Sequence, residues 1–168
     1  MNYQDYIWDL GGTLLDNYET STAAFVHTLQ DFGLTASHDE VYKALKVSTE
    51  YAVRQFAPRN KEFLKAYKAN EAKELEHPIL FEGASELLAQ IIQQGGRNFL
   101  ISHRDDQVLE ILQKTQISAY FTEVVTATNG FKRKPDPESM LYLKDKYQIE
   151  SGLVIGDRPI DIEAGQAA

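Results

Sequence analysis

"YIWDLGGTLLD", residues 6–16, is an apolar run that ends on a carboxylate, Asp9, and then falls into Gly11-Gly12. A short apolar run bounded by glycines fits a buried strand, and the glycines fit a sharp turn. Neither requires a carboxylate at the strand's end. Apolar runs of the same kind recur, so the first strand, placed at 3–9, is joined by others at 98–102, 123–127 and 152–156. Between them the hydrophobic period is helical. "SELLAQIIQQGG" sets Leu87, Leu88, Ile91 and Ile92 on one face and stops at Gly95-Gly96. "DQVLEILQKTQI" does the same with Val108, Leu109, Ile111 and Leu112, and "DPESMLYLKDKY" with Met140, Leu141 and Leu143. Strand alternating with helix predicts an α/β fold: a parallel, Rossmann-like sheet with helices on both faces.

Residues 16–78 break that rhythm. They hold only helical patterns, "TSTAAFVHTLQDFG", "HDEVYKALKV" and "NKEFLKAYKANEAKELE". The domain reading is therefore a core of 1–15 with 79–168, and an all-helical insertion over 16–78. The insertion starts where the first strand ends, and ligands bind beyond the carboxyl ends of strands in open α/β sheets. It is placed to act as a lid. Tyr51, Phe56, Phe63 and Tyr67 either line its substrate face or form its own small core, and their spacing favours the core.

Composition narrows the classes. The chain has 168 residues, 43% of them hydrophobic and 25% charged, enough for one domain with an insertion. A net charge of −8 argues against nucleic acid or an anionic membrane as partner. The absence of cysteine excludes disulfides and thiolate metal sites. No signal peptide or membrane-spanning stretch is visible, so a cytoplasmic location is expected.

Each strand end carries a polar group. Asp9 ends the first, and Ser102 the second, in "FLISHRDD". Lys134 follows the third in "GFKRKPDP", and Asp157 ends the fourth in "LVIGDRPIDIEAG", with Asp161 shortly after. Singly, Ser102 or Asp157 could cap a helix, and Lys134 could be a solvated charge. Jointly they converge on one crevice. Carboxylates alone repel a phosphate ester, and a Mg²⁺ ion among them removes the conflict by taking carboxylate, water and phosphate oxygens. Lys134 and Ser102 can hold the remaining phosphoryl oxygens, Asp9 can attack phosphorus, and Asp161 can hold the metal or orient its ligands.

With "DLGGTLLD", "LFEGASELL", "ISHR", "KRKPDP" and "GDRPIDIEAG" in this order, the chain resembles the haloacid dehalogenase superfamily. The resemblance is to its phosphoglycolate phosphatase-like branch with a helical cap, and it spans nearly the whole chain. It implies a Mg²⁺-dependent phosphatase acting on a small phosphorylated metabolite. Asp9 is then the nucleophile, Ser102 and Lys134 are catalytic and phosphate-binding, and His103 joins them at the substrate. Asp9, Gly11, Asp157 and Asp161 form the metal site. In most such phosphatases the first motif reads Asp-x-Asp, and its second carboxylate is the general acid and base. Here that place is Gly11, whose carbonyl can still serve the metal. The lost proton transfer is worth about 10²–10⁴-fold. His103 and Asp16 are the candidate substitutes.

Two rivals stay open. A dehalogenase also lacks the second aspartate, although it has little use for the pair Asp157 and Asp161. A weak or inactive phosphate-binding or interaction protein would explain Gly11 equally. The family usually continues with a further strand beside the fourth, which this chain, ending in "EAGQAA", does not supply. The expectation is therefore an exposed fourth strand, lower stability than a chain carrying the extra strand, and a monomer or weak homodimer.

Overall fold

The computed structural model describes residues 3–168. Contacts divide the chain into two compact units. One is the chain up to Leu15 together with Leu80–Ala168, and the other is Asp16–Ile79.

The first unit holds a parallel sheet of four strands: β1 (Asp5–Trp8), β2 (Arg97–Ile101), β3 (Phe121–Val125) and β4 (Gly152–Ile155). Their order is β3-β2-β1-β4, so the winding reverses between β1 and β4. Side chains alternate across the sheet. On one face Tyr6, Trp8 and Leu100 pack with Leu88 and Ile91 of α5 (Ala84–Gln93) and with Val108, Ile111 and Leu112 of α6 (Gln107–Lys114). On the other, Ile7, Phe99, Ile101 and Val125 pack with Met140 and Leu143 of α7 (Glu138–Tyr147) and Ala164 of α8 (Pro159–Ala167). Both faces are covered, as the alternating pattern predicts. Among the described residues β4 is an edge strand, with Gly152 and Leu153 exposed.

The helix faces are narrower than their apolar patterns suggest. Leu87 and Ile92 of α5, Leu109 of α6 and Leu141 of α7 are exposed rather than buried. Neighbouring residues stand about 100° apart around a helix. Where Leu88, Ile91, Val108, Leu112, Met140 and Leu143 face the sheet, their apolar neighbours fall on the shoulders.

Two polar ties fix β1 and β2 in register. The Arg97 guanidinium donates from Nε to Asp5 Oδ1 at 2.6 Å and from a terminal nitrogen to Oδ2 at 2.9 Å. Asn98, fully buried, accepts from Trp8 Nε1 at 2.9 Å and donates to the carbonyls of Leu88 and Tyr120. Leucine at 98 would strand the indole N–H and take one donor from each carbonyl. Asn98→Leu is therefore expected to lower the unfolding free energy by about 2–3 kcal/mol, read from urea denaturation at unchanged m-value.

The second unit contains α1 (Asn17–Asp31), α2 (His38–Val47), α3 (Thr49–Phe56) and α4 (Phe63–Glu74). Asp16 caps α1 by accepting the Glu19 N–H at 3.1 Å, and Ser37 and Glu40 form a capping box on α2. Phe25 centres the core, with ring centroids 4.9 Å from Phe63 and 5.0 Å from Tyr67. Phe63 and Tyr67 are fully buried there and Phe56 packs at the margin, whereas Tyr51 is exposed.

Candidate active site

The site lies where the sheet reverses its winding, at the carboxyl ends of β1 and β4, the usual ligand crevice of such sheets. Asp9 extends β1 by one residue and donates its N–H to the Ile155 carbonyl at 2.9 Å. Beyond it the chain turns tightly. The Leu10 carbonyl accepts the N–H groups of Leu14 and Leu15, both at 2.9 Å, and Gly12 donates to the Leu15 carbonyl. Gly12 has φ +82°, and a Cβ there would collide with the Asp157 carboxylate. Gly156 is restricted likewise, since a Cβ would strike the Asp161 side chain. Both glycines allow backbone and carboxylates to close around one small volume.

Lys134 reaches that volume from the segment between β3 and α7, and its side chain is almost wholly buried. Its Nζ donates to Asp9 Oδ1 at 2.8 Å, to Asp161 Oδ1 in a short contact, and to the Ile101 carbonyl at 3.3 Å. Asp161 is at the third position of α8, and its Oδ2 accepts the Arg158 N–H. Both of its oxygens are thereby engaged. Asp157 differs from both buried acids in being exposed. Although the residue as a whole is exposed, partial desolvation of its carboxyl in the crevice, then the charges of Asp9 and Asp161, raise its pKa above the ordinary aspartate value against a backbone hydrogen bond and Arg158.

Asp9, Asp157 and Asp161 each offer an oxygen, and these lie within 4.8 Å of one another. Three carboxylates meet a single ammonium, which leaves a surplus of two negative charges, and Asp157 has no bond to that ammonium. An all-oxygen donor set with surplus negative charge fits a hard divalent cation such as Mg²⁺.

Ser102 extends β2, donating its N–H to the Val125 carbonyl at 2.9 Å, and its Oγ accepts the Arg104 N–H at 3.2 Å. It does not cap α6, where Asp106 holds that position, nor does Asp157 cap α8, where Arg158 does. His103 Nε2 accepts the Lys134 backbone N–H at 2.9 Å. Burial of the ring, followed by the cations Lys134, Arg133 and Arg158, holds its pKa below the ordinary histidine value, with Asp9 opposing. The structure thus gathers Asp9, Asp157, Asp161 and Lys134 directly, sets Ser102 beside the carbonyl that Lys134 touches, and ties His103 to the Lys134 backbone. Asp16 belongs to the helical unit as the cap of α1. Gly12, whose missing side chain makes room for Asp157, was foreshadowed only by the paired glycines.

Fold and site together define a doubly wound α/β protein with an acidic crevice at its switch point. Residues 6–168 match the model of the haloacid dehalogenase-like hydrolase family, and the chain belongs to that family. It is 74% identical to the solved structure of a hydrolase from Streptococcus pneumoniae TIGR4, with TM-score 0.96, covering 99% of this chain and 89% of that one. A phosphoglycolate phosphatase from Aliivibrio fischeri is 29% identical over 182 residues, 96% of this chain and 78% of the relative. A pyrophosphatase PpaX from Oceanobacillus iheyensis is 26% identical over 179 residues, 100% of this chain and 81% of the relative. No helix among the described residues is long and apolar enough to cross a membrane.

Proposed function

We propose that the protein is a Mg²⁺-dependent phosphatase that hydrolyses a small phosphate monoester through an aspartyl-phosphate on Asp9. The observation that carries this reading is the buried Lys134 ammonium held between Asp9 and Asp161, with Asp157 alongside. The names borne by the Aliivibrio and Oceanobacillus relatives support the same reaction class.

Bound among Asp9, Asp157 and the Gly11 carbonyl, Mg²⁺ would offset the carboxylate charge that otherwise repels the substrate. Asp161, whose oxygens accept from Lys134 and the Arg158 N–H, would orient Lys134 and complete the carboxylate set around the metal. Lys134 fixes Asp9 through Oδ1 and presents positive charge to the phosphoryl oxygens. Ser102 contributes a hydroxyl at the end of the neighbouring strand. Asp9 forms a bond to phosphorus as the ester P–O bond breaks, and the leaving alcohol takes a proton from water. Water then attacks the same phosphorus, breaks its bond to Asp9, and releases inorganic phosphate with the carboxylate regenerated. With glycine at position 11, no carboxylate there serves either proton transfer. His103 is a poor substitute through Nε2, because that nitrogen already accepts the Lys134 N–H. The helical unit Asp16–Ile79, read as a substrate-selecting cap, is part of the same proposal.

Phosphate release from p-nitrophenyl phosphate tests the reading. Turnover should require added Mg²⁺, vanish in a chelator and return when Mg²⁺ is restored. Phosphate release unaffected by the chelator would refute the metal-dependent mechanism, whereas turnover of a 2-halo acid that survives the chelator would favour the dehalogenase reading of the site.

A further inference from the structure

We infer that His103 is a positioning residue, whose unprotonated Nε2 holds the Lys134 backbone so that the lysine's ammonium stays seated between the carboxylates. The inference rests on the phosphatase reading of the site. Its basis is geometric. Lys134 is fixed at both ends, its Nζ by Asp9, Asp161 and the Ile101 carbonyl, and its backbone N–H by the imidazole at 2.9 Å. The stem between them is buried, so movement at one end is felt at the other. A ring that accepts at Nε2 carries its proton at Nδ1 when neutral.

Protonation turns both ring nitrogens into donors. Nε2–H would then face the Lys134 N–H, and the hydrogen bond is lost. The new charge would also meet Lys134, Arg133 and Arg158, with Asp9 as the opposing charge. The same surroundings favour the neutral ring. A cavity of about 220 Å³ lined by Ser102, His103, Thr126 and Arg133, among others, gives protons access to the ring. His103 thus links proton concentration to the seating of Lys134. The neutral ring's contribution to stability is complete above the ordinary histidine pKa and is lost as pH falls through the lower folded value.

Glutamine separates this role from simple packing, since its amide oxygen can accept the same N–H but does not titrate. In wild type, kcat/KM for p-nitrophenyl phosphate should fall on the acid side with a one-proton limb below the usual histidine range. His103→Gln should recover most of the activity that His103→Ala loses, and it should lose that limb. His103→Ala should lose about 10–100-fold in kcat/KM, the scale of removing a group that orients a working residue. A glutamine variant that keeps the wild-type limb overturns the inference. So does a nitrogen-15 spectrum placing the neutral ring's proton on Nε2. If wild type is inert while Asp9→Asn and wild type fold alike, the phosphatase reading fails, and the ring's tautomer still decides the role of His103.

Discussion

Asp9→Asn is expected to fold like the wild type yet release phosphate at least about 10⁴-fold more slowly, the scale of losing a nucleophile. The amide oxygen can still accept from Lys134 Nζ, which also keeps Asp161 as a charged partner. What disappears is the carboxylate able to form the acyl phosphate. Lys134→Met provides the contrast. It should be as inactive, and it leaves Asp9 and Asp161 buried beside Asp157 with no ammonium among them. Breaking a buried pair from one side costs about 3–5 kcal/mol of stability, because the remaining charge is uncompensated. The sign of the pH dependence follows. Asp157 already binds its proton more readily than an ordinary aspartate because of Asp9 and Asp161, and removing the ammonium leaves it among more uncompensated negative charge, so the stability deficit should shrink as pH falls. Added Mg²⁺ should narrow it also. Urea denaturation at several pH values, with and without Mg²⁺, measures both. An active Asp9→Asn protein would place the nucleophile elsewhere, and a Lys134→Met deficit independent of pH would mean that the lysine's charge does not balance the cluster.

The parts legible in the sequence are those written locally. Asp9 and Asp157 stand out because each follows an apolar run, and strand ends in a parallel sheet lie on one side. The all-helical pattern of Asp16–Ile79 is equally local. The individual bonds between distant segments were not legible. Position after a strand and the motif resemblance put Lys134 in the crevice with Asp9, but no periodicity shows its bonds to Asp9, 125 residues away, and to Asp161, 27 away. The tie between His103 and the Lys134 backbone is invisible for the same reason, since any exposed-looking polar segment could have supplied that N–H. Helix faces were overdrawn at Leu87, Ile92, Leu109 and Leu141. Hydropathy registers that a side chain is apolar, but the direction it faces depends on how the helix is rolled on the sheet.

Gly11→Asp should change the substrate range rather than the basal rate. Gly12 has a left-handed backbone, φ +82°, but Gly11 is not among the glycines with positive φ, so a side chain there meets no left-handed strain. A carboxylic acid there could give a proton to the departing oxygen and later take one from water. Proton transfer of this kind is worth about 10²–10⁴-fold, but only where the leaving group needs it. With an alkyl phosphate, whose alkoxide leaves poorly, Gly11→Asp is expected to raise kcat by that factor. With p-nitrophenyl phosphate, whose phenolate leaves unaided, the first step should change little. The ratio of the two rates, before and after the substitution, therefore reports on the missing acid independently of overall activity. A wild type already fast on alkyl phosphates, and unimproved by the change, would mean that another group delivers the proton. Asp16 and His103 would then be replaced in turn, each already holding one backbone N–H, Asp16 that of Glu19 and His103 that of Lys134.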